Sequence, residues 1–163
     1  MHLNKEPDLN DLRKKHQISL LIYGAMVGSV FCYGLVAFIM RDHFTPSVSF
    51  GHKTSAIFKS VLLVLSVVEL GFAWPLRNWI LPKEIKVSAG ETTALSSPAS
   101  RLLTSSIVTH ALCEVVAIYG LALFMMTRDI SDFYLFGLIS LTGFAIYLPR
   151  FSQWEKYIEA TLR

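Results

Sequence analysis

The chain has 163 residues, of which 53% are hydrophobic and 17% charged, with a formal net charge of +3. A soluble domain of this size must keep much of its surface in water, and such domains carry about 25% charged residues, so this composition belongs to a membrane protein. Disorder is excluded by the apolar content, a disulfide scaffold by the two cysteines, and nucleic-acid binding is not expected because membrane topology accounts for the mild basic excess.

Four apolar stretches follow in chain order, and helices are the open-ended structures that satisfy their own backbone in lipid. Residues 18–40 carry no charge over 23 positions, enough for the roughly 20 residues a span requires. No small-x-small cleavage site follows, since the chain reads Phe38, Ile39, Met40, Arg41, so this stretch is a span and not a signal peptide. The second span is expected over about 56–81 and contains Glu69. Residues 82–101, rich in Ser, Thr, Ala, Pro and Gly, read as a linker. The third span covers 102–127 and contains His110 and Glu114, and the fourth covers about 133–150. In the tail, 151–163, Phe151, Trp154, Ile158 and Leu162 recur at spacings of three and four. They fit either a short helix in the membrane interface or the frayed end of the fourth helix with an aromatic anchor.

Lys and Arg are distributed eleven to four in favour of the two tails and the middle linker. By the positive-inside rule both termini and the linker are cytoplasmic. The expected fold is therefore all-α: a polytopic, integral membrane protein of four transmembrane helices in one domain, placed in a bacterial inner membrane.

A weak repeat links the first and third spans. Tyr33-Gly34-Leu35-x-x-Phe38 matches Tyr119-Gly120-Leu121-x-x-Phe124 at an offset of 86. The second and fourth spans end in similar Pro-Arg-Trp patterns around Pro75 and Pro149. This arrangement allows two duplicated helix hairpins of the same orientation. Gly24 and Gly28, four residues apart, form a small-residue face on which another helix packs closely, dimerisation being one version of that packing.

Glu69, His110 and Glu114 are the carboxylates and histidine near the middle of the spans, and His110 lies one turn before Glu114. Each costs about 2.5–3.5 kcal/mol at the bilayer centre, so such groups are expected to face the bundle interior and pair. Two readings stay open: a proton or cation site, or a hydrogen-bonded contact that joins helices. A metal site ranks below the proton site, and a haem lacks a second axial histidine inside the membrane. There is no Gly-rich phosphate loop, Cys-x-x-Cys or Ser-His-Asp arrangement, so neither enzyme activity nor a cofactor is expected.

The segment Leu112-Cys113-Glu114-Val115-Val116-Ala117-Ile118-Tyr119-Gly120-Leu121 resembles the ion-carrying helix of rotary ATPase proteolipids, the c subunits. That family places Tyr-Gly-Leu five to seven residues after a membrane carboxylate. The resemblance implies that Glu114 binds a proton or Na⁺ in an oligomeric ring. The match covers about a dozen residues, lies in the third span and not in the second helix of a hairpin, and lacks the family's dense glycine ladder. Three functions are thus expected in order: a proton- or cation-binding protein of proteolipid type, an accessory subunit of a larger membrane complex, or a small proton-coupled exporter. The expected partners are the lipid bilayer and either further copies of the chain or the subunits of such a complex.

Overall fold

The computed structural model describes residues 5–42, 52–80, 98–152 and 154, with side chains over 13–42, 54–76, 100–152 and 154. The described residues form four helices, α1 Lys5–Met40, α2 His52–Ile80, α3 Pro98–Thr127 and α4 Ile130–Ile146, without strands. The segments Arg13–Met40, Thr54–Leu76 and Ser100–Thr127 are long and apolar enough to cross a membrane, and Ile130–Ile146 is a shorter apolar helix. The chain is a polytopic helical membrane protein. The linker at 82–97 and the tail beyond Trp154 lie outside the described residues.

Helix boundaries follow local chemistry. α3 opens on Pro98, whose fixed φ suits a first helical position, so it begins four residues earlier than its apolar stretch. Between α3 and α4 stand only Arg128 and Asp129. Arg128 ends α3 at φ 62°, with its N–H on the Phe124 carbonyl at 2.8 Å, the left-handed cap that glycine usually supplies. Asp129 caps α4 by accepting from the Ser131 N–H at 2.9 Å, so α4 starts three residues before its expected span. Ser131, through its hydroxyl first and its amide second, holds the Asp129 carboxyl below the ordinary value. A lowered value means the cap contributes fully above the ordinary carboxylate range and is lost as pH falls through the lowered one.

α3 is the central helix, packed against all three others, whereas α1 and α2 make no contact among the described residues. The two helix pairs therefore differ in packing: α3 lies along α4, but α1 does not lie along α2. The reason is that both α1 and α2 bury their best-packed faces on α3, on different sides of it. Lys15 Nζ reaches Ser100 Oγ at 3.1 Å and Ser29 reaches Glu114, so α1 and α3 run parallel with an offset of 85 residues. Glu69 meets Tyr119 and Lys59 meets Asp132, so α2 runs antiparallel to α3. The outward faces are apolar, as a lipid-facing surface requires: Leu21 is 74% exposed, Val64 65% and Leu138 67%.

The core is layered along α3. Val30, Cys113, Ala117 and Phe144 pack together at mid-height, and Ala37, Phe124 and Phe133 pack near the α3–α4 turn. Val116, Leu123 and Phe136 face α2, against Leu62, Leu63 and Leu70. Past α4, Phe151 and Trp154 turn back onto the bundle, where Trp154 is fully buried and its ring stands edge-on to His16 at 5.4 Å. The described tail residues 151, 152 and 154 are helical after a non-helical break at 147–150, and they sit beside His16, whose Nε2 lies 3.1 Å from the Pro149 carbonyl; the rest of the tail, on which the two expectations differ, lies outside the described residues.

Candidate functional site

Glu114 sits half-buried on the face of α3 that meets α1. Its Oε1 lies 2.5 Å from Ser29 Oγ and 2.9 Å from the Tyr33 hydroxyl. Ser29 Oγ is also 2.7 Å from the carbonyl of Met26. A serine hydroxyl has one proton to donate, yet two acceptors lie within its reach. If that proton goes to Met26, the proton between Ser29 and Glu114 must come from the carboxyl. The Glu114 carboxyl can therefore accept from both hydroxyls when charged, and when neutral it can return a proton to Ser29 while Ser29 donates to Met26.

Glu69 is held differently. Its Oε1 accepts from the Tyr119 hydroxyl at 2.7 Å, and its Oε2 is buried without a hydrogen-bond partner. His110 is 1% exposed, stacked on Phe144 at 5.8 Å and 16°, edge-on to Tyr23 at 5.1 Å, with Nε2 3.2 Å from the Tyr147 carbonyl.

The three residues expected to form one cluster do not converge, and no group of three His, Cys, Asp or Glu able to hold a metal occurs among the described residues. Equal depth brought them together on paper, but rotation about the helix axis separates them. Tyr119, which holds Glu69, lies five residues beyond Glu114, about 140° around α3 at 3.6 residues per turn. Glu114 consequently belongs to the α1 side and Glu69 to the α2 side.

Gly24 and Gly28 also behave differently from expectation. A Cβ built at either position meets nothing within 4 Å, so among the described residues no helix packs closely on this face. The close approaches lie at Gly34, Gly120 and Gly143. At Gly34 a Cβ would stand 3.2 Å from Phe133 Cε1, and at Gly120 it would stand 2.7 Å from Phe136 Cβ. The two Tyr-Gly pairs of the repeat thus do the same work twice: each tyrosine donates to a mid-span glutamate, and each glycine admits α4.

Sequence reasoning missed Ser29, Tyr33 and Tyr119 as partners, although the repeat had marked both tyrosines. It also missed the ion pair of Lys59 Nζ with Asp132 Oδ1 at 2.6 Å, supported by the Thr127 hydroxyl at 3.0 Å from Oδ2. No protein-family model, curated protein or solved structure matches the chain.

Proposed function

We propose that this protein binds and releases a proton at Glu114 within the membrane, a role of proteolipid type. The observation that carries the proposal is the oxygen triad of Glu114, Ser29 and Tyr33 on the seam between α1 and α3. A carboxyl held between helices by two hydroxyls keeps partners in both protonation states: it donates to Ser29 when neutral and accepts from Ser29 and Tyr33 when charged. Loading and unloading then leave no orphaned polar group, which lowers the energy difference between the two states in a low-dielectric setting. The Gly24–Gly28 face, which no described residue approaches within 4 Å of a built Cβ, suits contact with another copy.

A hydrophobic carboxyl-reactive carbodiimide tests this, since it reacts with protonated acids in apolar surroundings. Mass analysis should place the adduct on Glu114. Glu114→Gln should abolish the adduct while leaving a folded protein, because the amide preserves hydrogen bonding to Ser29 and Tyr33. Absence of an adduct on Glu114 at every pH would remove the proposal. Unfolding of Glu114→Gln together with that absence would assign the residue to helix joining.

Both termini and the linker are proposed to face the cytoplasm, from the eleven-to-four charge distribution. Reporter fusions at Ser47 and Gly90 should report opposite sides of the membrane. The same side for both would overturn the four-span topology.

A further inference from the structure

The seam between α1 and α3 is chemically lopsided about Glu114. Toward the end carrying the α1 N-terminus it is polar. His16, Ser19 and Tyr23 recur on one strip of α1 at spacings of three and four, and Ser106, His110 and Glu114 recur on one strip of α3 at spacings of four. The two strips face each other, since Tyr23 touches His110 and Ser29 touches Glu114 in the same parallel register. Toward the opposite end the seam is apolar: Ala37, Phe124 and Phe133 are buried together, with Met40, Leu121 and Met125 against them.

Among the described residues, the buried groups of the polar half that lack a hydrogen-bond partner include Ser19 Oγ, Ser105 Oγ and Trp154 Nε1. Ser19 Oγ is buried in a residue 1% exposed, and Trp154 Nε1 is buried in a residue 0% exposed. Ser19 stands one turn from His16, and the Trp154 ring lies 5.4 Å from the His16 ring. Buried hydroxyl and indole donors are rarely left unmatched, and buried water bonding two to four polar groups is the usual solution where space is polar. One unmatched group has local explanations, but two beside the same histidine, on the polar side of a buried carboxyl, mark a hydrated route.

We infer that a file of water enters beside His16 and Trp154, passes Ser19, and reaches Glu114 along the α1–α3 seam, so that Glu114 exchanges its proton with one side of the membrane only. The inference rests on the reading of Glu114 as a proton site and adds its route and sidedness. A proton leaving the Glu114 carboxyl passes to the nearest water and exits past Ser19; no other covalent change is involved. Beyond the Tyr33 hydroxyl, which is bonded to Glu114 itself, the described residues of this seam, Ala37, Phe124 and Phe133 with Met40, Leu121 and Met125, carry no further hydroxyl, which closes the other direction within one copy.

The test uses the full chain in oriented lipid vesicles and infrared difference spectroscopy. The carbonyl band of protonated Glu114 is assigned by its loss in Glu114→Gln. Ser19→Val and Ser19→Thr add nearly equal volume, but only threonine keeps the hydroxyl, so folding strain is matched between them. Hydrogen–deuterium exchange of the Glu114 band should slow about tenfold or more in Ser19→Val and stay near wild type in Ser19→Thr, the loss expected when one hydrogen-bonding step becomes unmatched. A pH step on the side of the α1 N-terminus should change the band at once, and a step on the other side should not. Equal exchange in the valine and threonine variants, or equal response from both sides, would overturn the route while leaving the proton site standing. Absence of any Glu114 band would overturn the proton site itself, and the route with it.

Discussion

Gly120→Val should unfold or severely destabilise the bundle, whereas Gly28→Leu should leave the fold of a single chain unchanged. A Cβ at Gly120 would stand 2.7 Å from Phe136 Cβ and 3.3 Å from the Phe133 carbonyl oxygen, and backbone is the part of a neighbour least able to move. α4 cannot retreat, because the two-residue turn at Arg128 and Asp129 ties its start to the end of α3. Overpacking of this kind costs about 1–3 kcal/mol, and more when backbone is struck. The leucine at Gly28 meets open space, and surface substitutions of that type stay within about 0.5 kcal/mol. Denaturant titration of the detergent-solubilised protein, followed by tryptophan fluorescence, separates the two. Equal loss at both positions would show that the Gly24–Gly28 face is packed in the folded state after all.

That contrast shows where the sequence was legible. The four helices could be read because uninterrupted apolar runs have one solution in lipid. Glu114 stood out because an ionisable group at that depth requires a reason. The repeat offset of 86 falls within one residue of the observed α1–α3 register of 85, so parallel placement of the two Tyr-Gly segments was written in the chain. What could not be read was rotation: depth along an axis follows from counting residues, but the face presented to a neighbour depends on which helix arrives there. For that reason Glu69 and Glu114, matched in depth, went to different sides of α3. A small-residue pair likewise marks a surface that could accept a helix without naming the helix. The start of α4 was legible in Asp129-Ile130-Ser131-Asp132 as a capping sequence, but counting apolar residues passed over it because two of the four are acidic.

One of those acids carries the last large effect. Asp132 keeps only 6% of its side-chain surface exposed, while Lys59, 2.6 Å away, keeps 39%. Losing either partner is therefore not equivalent. Lys59→Met strands a buried carboxylate with the Thr127 hydroxyl as its remaining support, a situation that costs up to about 3–5 kcal/mol in dry surroundings. Asp132→Asn removes the charge from the buried side and leaves an ammonium that can extend along its own stem into water, so its cost should stay near the roughly 1 kcal/mol of a lost hydrogen bond. The double substitution should be more stable than Lys59→Met alone, because it removes the stranded charge. Thermal unfolding of all four proteins in one detergent gives the coupling directly. Strictly additive losses would show that the two groups do not sense each other. A large coupling would identify the pair as the clamp that fixes α2 to the α3–α4 turn. It would then also set the position of Glu69 on Tyr119, since Glu69 lies ten residues, or about 15 Å, further along the same helix.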